Sequence, residues 1–89
     1  MYIKSQDGDV IFSLTDKAVI FTEDIYISGK FYGCNIYGRK LFRRYLLGTY
    51  EEDEATQVIS EIYALLKAGE RFYSMPAPTF DLEDLGVSI

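Results

Sequence analysis

Apolar and polar positions alternate with a period near two through the first half of the chain, then change to a helical period in the second. "MYIKS" alternates and runs into Gln6-Asp7-Gly8-Asp9, where the Asp-Gly pair predicts a two-residue hairpin turn. "VIFSL" (10–14) follows, with Val10, Phe12 and Leu14 on one face, and Thr15-Asp16-Lys17 turns the chain into "AVIFT" (18–22). Glu23-Asp24 reads as a polar break before "IYIS", Gly29-Lys30 leads to "FYGCNIY", and Gly38-Arg39 leads to "KLFRRYLLGTY". Ile25 to Tyr37 fits either a hairpin or one long bent strand. Connections of two or three residues leave no room for crossover helices, so five or six strands in an antiparallel meander are expected.

Ala55, Val58, Ile59, Ile62, Leu65 and Leu66 recur at i, i+3, i+4, i+7, i+10 and i+11, while Thr56, Gln57, Ser60, Glu61 and Lys67 fall on the opposite side. That spacing predicts an amphipathic helix over about Glu52 to Ala68. Thr49 with Glu52 has the spacing of a capping box, with Glu51 or Glu52 as the alternative start, and Gly69 suits the residue that ends a helix in a left-handed conformation. "RFYSM" reads as a short final strand stopped by Pro76 and Pro78.

The expected fold is therefore α+β: a curled five- or six-stranded antiparallel sheet, one helix packed across it and a short returning strand. The expected core is Ile3, Val10, Phe12, Ala18, Ile20, Ile27, Val58, Ile59, Ile62, Leu65, Leu66 and Phe72. With 89 residues, one domain over 1–78 is expected, followed by a tail over 79–89 in which Phe80, Leu82 and Leu85 could form one amphipathic turn.

Charge refines this picture. The net charge is -5, which disfavours bulk binding to nucleic acid or an anionic membrane through long-range electrostatics. Its distribution is uneven. Ile25 to Tyr50 holds Lys30, Arg39, Lys40, Arg43 and Arg44 and no acid, whereas the rest of the chain carries all 14 acidic residues. Within the basic segment Leu41, Arg43, Tyr45 and Leu47 share one face and Phe42, Arg44 and Leu46 the other, a mixture that suits an edge strand or one covered by a partner.

Candidate chemistry is sparse. The chain has no histidine, the usual general base near neutral pH, and a single cysteine, Cys34, within a predicted strand, where a buried structural thiol is expected. The serines lie in no Gly-x-Ser-x-Gly context, and no glycine-rich loop opens a helix to receive phosphate. Glu51-Glu52-Asp53-Glu54 lacks the spacing of a calcium loop; acids in a first helical turn complement the helix dipole by ~0.3–1 kcal/mol each. An enzyme is not expected, nor a cofactor or metal.

Three stretches together resemble a group of small proteins of unknown function found in Firmicutes and in their phages and other mobile elements. They are an I-x-S-Q-x-G strand (Ile3, Ser5, Gln6, Gly8), an L-G-x-Y segment (Leu47, Gly48, Tyr50) leading to the helix, with Ala55, Val58, Glu61 and Ile62, and an aromatic strand ending Met-Pro (Phe72, Met75, Pro76). The resemblance implies a small α+β cytosolic protein, prophage-borne in origin, and carries no activity.

The expected function is a small non-enzymatic module in the cytoplasm that binds another protein or a second copy of itself as a homodimer, and modulates a host process. Its expected surface is Lys30, Tyr32, Tyr37, Arg39, Lys40, Phe42, Arg43, Arg44 and Tyr45. The alternative is single-stranded nucleic acid or nucleotide bound by the same region, since aromatics beside cations stack bases and hold phosphates. A second way to meet a protein uses the acids at Glu51–Glu54 and Asp81–Asp84, which would suit a basic groove on a partner. No membrane partner is expected.

Overall fold

A computed structural model describes residues 1–77. In chain order the elements are β1 (Tyr2–Lys4), β2 (Ile11–Ser13), β3 (Ala18–Ile27), β4 (Lys30–Lys40), β5 (Arg43–Tyr50), α1 (Glu52–Lys67) and β6 (Phe72–Ser74). The α+β class and the helix are as expected; the single sheet is not. Two three-stranded sheets form instead, in the orders β2-β1-β6 and β3-β4-β5. β2 pairs with β1 alone, and β6 returns parallel to β1 rather than antiparallel, so the small sheet is complete without β3.

Local chemistry explains where the strands begin and end. Between β1 and β2 the predicted two-residue turn is replaced by a wider loop. The Ser5 hydroxyl donates to Asp7 Oδ1 (2.6 Å) and accepts from the Val10 amide (3.0 Å), while the Asp9 amide donates to the same Asp7 oxygen (2.9 Å). These bonds hold the Asp7 carboxyl below its ordinary pKa, the Ser5 hydroxyl being the largest cause.

Glu23-Asp24 does not break the chain: both lie exposed within β3, on a sheet edge where water solvates them. Ile25–Tyr37 resolves as a hairpin, with Ile27 paired to Lys30 around Ser28-Gly29. Both turn residues have positive φ (54° and 79°), the pattern of a type I′ turn whose twist matches that of the strands.

Gly38-Arg39 is likewise not a turn. Gly38 lies within β4, two residues from its end, where the Phe12 ring occupies the space a side chain would need: a Cβ there would stand 2.7 Å from it. That contact joins the two sheets. The turn comes later, at Leu41-Phe42, between the paired residues Lys40 and Arg43.

Helix α1 packs on β4 and β5. It starts after Glu51, whose side chain makes no cap; the proposed capping residue Thr49 instead donates its hydroxyl to Asn35 Oδ1 (2.7 Å). Its end is as expected. Gly69 takes φ 80°, its amide bonds to the Leu66 carbonyl, and the Glu70 amide bonds to that of Leu65, which is a Schellman motif.

One core cluster unites both sheets and the helix: Ile3, Phe12, Cys34, Ile36, Leu47, Tyr50, Ala55, Val58, Ile62, Tyr73 and Met75. Of the expected core, Val10, Ala18, Ile20, Ile27, Ile59 and Leu65 are only partly buried, and Leu66 and Phe72 are exposed. Phase explains Phe72: β6 pairs Ile3 with Tyr73, so Tyr73 rather than its neighbour turns inward. A register shift between Ile36 and Tyr37 has a similar effect on β5, leaving Leu46 exposed and Leu47 buried. The expected amphipathic turn at Phe80–Leu85 lies outside the described residues.

Candidate interaction surface

The motif residues of the two chain ends and the middle meet at one place. The Gln6 amide donates to the Leu47 carbonyl (2.7 Å), its side-chain amide nitrogen donates to the Thr49 carbonyl (3.1 Å), and its side-chain oxygen accepts from the Thr49 amide (3.1 Å). Gln6 therefore closes the outer edge of β5 as an added strand would. Tyr50, fully buried, donates its hydroxyl to the Pro76 carbonyl (2.6 Å), and its ring lies so close to Gly48 that a Cβ there would approach to 2.6 Å. Burial pushes the Tyr50 hydroxyl well above its ordinary pKa, with the Glu54 charge adding to the rise. This knot is structural: its polar groups are spent on each other.

The nine predicted surface residues do not form one patch. β4 carries Lys30 and Tyr32 at one end and Lys40 at the other, roughly 33 Å apart at 3.3 Å per residue. Lys30 lies 5.6 Å from the Tyr32 ring, beside the first hairpin turn. Tyr37, Arg39 and Arg44 share the outer face of the large sheet, the face away from the helix. There Phe21 and Tyr37 stack with centroids 5.4 Å apart, Arg39 lies over Phe21 (5.9 Å) and Arg44 over Tyr37 (4.4 Å). Arg44 also meets Glu23 at 2.9 Å, an exposed ion pair of small energetic weight.

Tyr45 turns the other way. It is half-buried against Phe12 (6.0 Å), with Arg43 above its ring (5.9 Å), and so belongs largely to the edge of the core. Phe42 stands fully exposed at the hairpin tip beside Leu41, which is 77% exposed. The sequence pattern places Leu41 in a strand, although two apolar residues enclosed by basic pairs are also a signal for a turn. Phe21, outside the expected surface, supplies half of the outer-face stack.

The tip is strained in two ways. Leu41 adopts φ 59°, a region that costs residues other than Gly or Asn ~1–2 kcal/mol. Moreover, Arg39 lies directly opposite Arg44, and Lys40 directly opposite Arg43, so two like-charge cross-strand pairs are stacked along the stem. Such pairs destabilise a hairpin.

Compared with family models, with curated proteins and with solved structures, the chain gives no match in any of the three. Its own geometry carries the reading.

A second feature lies on the helix side. Thr22, Asp24, Cys34, Glu52, Ala55, Thr56, Ile59 and Ser60 line a cavity of about 290 Å³ between β3 and α1. Burial, followed by a 3.4 Å hydrogen bond to Asp24, pushes the Cys34 thiol up to about 11, so at neutral pH it is a protonated thiol and a poor nucleophile. Among the described residues no three His, Cys, Asp or Glu side chains converge on a point that could hold a metal ion, and no helix is long and apolar enough to cross a membrane.

Proposed function

We propose that the protein is a non-enzymatic interaction module that binds another protein through the tip of the β4–β5 hairpin. The observation that carries this reading is the exposed Leu41-Phe42 pair, held at an unfavourable φ above a doubly like-charged stem. Glu23 and the neighbouring rings partly offset the stem's like charges, but Leu41 and Phe42 stay exposed; an apolar pocket rimmed with carboxylates would cover the pair and meet the cations. Burying the two side chains would contribute ~1.5–3 kcal/mol each, and the cations would steer the encounter.

A second copy of the chain can supply acids from Glu51, Glu52 and Asp53 at the start of α1, which is the homodimeric form of the same proposal. In keeping with the resemblance of its motifs, the protein would act in the cytoplasm as a phage- or prophage-encoded modulator that occupies a host protein. It would need no cofactor.

The test replaces Leu41→Gly together with Phe42→Ser, which suits a turn with positive φ at its first position and removes both anchors. Proteins retained on the immobilised wild-type chain from a cytoplasmic extract should be lost on this variant and released by salt. The same proteins held by both would remove the tip from the account. Light scattering over a concentration series tests self-association.

The stacked Phe21–Tyr37 pair with its two arginines favours a second reading, a platform for single-stranded nucleic acid. Anisotropy with a labelled single-stranded oligonucleotide at low salt decides it: binding weakened by Arg39→Ala with Arg44→Ala supports the platform, and no binding, or binding unchanged by that variant, eliminates it.

A further inference from the structure

The two edges of the large sheet are treated differently. Gln6 closes the edge of β5, whereas no described strand pairs with the outer side of β3. Exposed edges are usually blunted by short length, charged side chains, proline or a bulge. β3 is ten residues long without lysine or proline; its charges, Glu23 and Asp24, and its register shift between Ile25 and Tyr26 lie in the second half, which leaves residues 18–22 as an unblunted edge.

Helix α1 packs over β4 and β5 and leaves β3 projecting beyond it. Between them runs a groove. Asp24 and Thr22 share its first cavity with Glu52 and Thr56; Ile20 and Leu14 share a second, of about 230 Å³, with Ile59, Tyr63 and Leu66. Glu52, Thr56, Ile59, Tyr63 and Leu66 fall at i, i+4, i+7, i+11 and i+14, one flank of the helix. That stripe spans ~21 Å, the length of an extended segment of about six residues. Tyr63 (61%) and Leu66 (43%) are exposed on it, although both could bury against an added strand.

We propose that this groove binds an extended peptide as a fourth strand on β3. Main-chain bonds to the open edge would supply affinity. Alternate apolar side chains would pack on Ile59, Tyr63 and Leu66, and a lysine or arginine would lie at the Asp24–Glu52 end. Charge selects this occupant over two others. Residues 78–89 of the chain carry Asp81, Glu83 and Asp84 and no base, so they match the acidic end poorly. Symmetric pairing of two β3 strands would crowd Glu23 and Asp24 of both copies at the middle of the new ladder. This surface is separate from the hairpin tip and stands without it.

A random twelve-residue peptide library displayed on phage, panned against the full chain, tests the proposal. The expected consensus has apolar residues at alternate positions and a basic residue at one end. A labelled synthetic peptide of that consensus should bind at least tenfold more weakly to Tyr63→Glu. It should lose its preference for a basic over a neutral end residue in Glu52→Gln; both positions are exposed, so folding is retained and is checked by circular dichroism. Amides of β3 should gain protection from hydrogen exchange on binding, and N-methylation of alternate peptide amides should abolish it. The tip variant Leu41→Gly with Phe42→Ser should bind unchanged. The proposal is overturned by a library that yields no enriched peptide, by peptides indifferent to both groove variants, or by protection that appears on β5 instead. A dimer that protects β3 in the absence of peptide would hand the groove to a second copy.

Discussion

Strand β5 begins beside an exposed apolar hairpin tip and ends, ~23 Å away, at a buried place where side chains satisfy one another. At the Arg43 end Phe42 is bare, Leu41 is conformationally strained and four cations face each other in two pairs. At the Tyr50 end a buried ring, a glutamine side chain and the carbonyl of Pro76 satisfy each other's hydrogen bonds. On the proposed function, the difference separates what holds the fold from what meets a partner. A strand whose aromatic and polar residues served only the fold would pay no strain at either end.

The largest effect is expected at the knot. Tyr50→Ala removes a fully buried ring and the bond to Pro76, and should cost ~3–5 kcal/mol in urea unfolding, a large share of what a domain this size possesses. A loss below ~1 kcal/mol would erase the contrast between the two ends. Gly48→Ala should follow at ~1–3 kcal/mol, because the new methyl meets the Tyr50 ring, which cannot retreat from the core.

Alkaline pH sharpens the same comparison. The Cys34 thiol is raised from 9.0 to about 11 in the fold, so the stability it contributes is full below pH 9 and is lost as pH rises through about 11. Tyr50 and Tyr73, raised by burial above 10.0, act in the same direction at higher pH. The urea midpoint should therefore be level from pH 7 to 8.5 and fall beyond 9, and Cys34→Ala should delay the onset of that fall. A midpoint that rises over this range would contradict the burial of these groups.

The smallest effect, and one of opposite sign, belongs to the tip. Leu41→Gly with Phe42→Ser relieves the strained φ at the cost of a more flexible unfolded chain, so stability should change by ~0–1 kcal/mol, upward. A drop of ~2 kcal/mol would show that the pair supports the fold and would withdraw it as a binding element.

The helix was legible because its signal is local and redundant: a 3.6-residue apolar period, acids at the start and a glycine at the end all agree. Ile3, Phe12, Val58 and Ile62 were legible as core for the same reason, since each lies in phase with its element. Tyr73, Leu47 and Tyr50 were not, because their orientation depends on a pairing register and on a bulge set by distant strands. The basic residues of the surface were readable by type, but Lys30 and Tyr32 were separated from the rest only when β4 proved to be one continuous strand.

By itself the sequence determined the α+β class, the span and polarity of α1, the buried character of Cys34 and the concentration of positive charge between Ile25 and Tyr50. These follow from nearest-neighbour periodicity and composition, which need no knowledge of what lies across the fold. Only the tertiary structure decided that the strands split into two sheets, that Leu41 and Phe42 form an exposed tip and that no described strand pairs with the outer edge of β3 beside the helix. Each of those depends on hydrogen-bond partners far apart in the chain, with Gln6 on β5 and Phe12 on Gly38 among them, and a linear pattern carries no record of which partner arrives first or fits best.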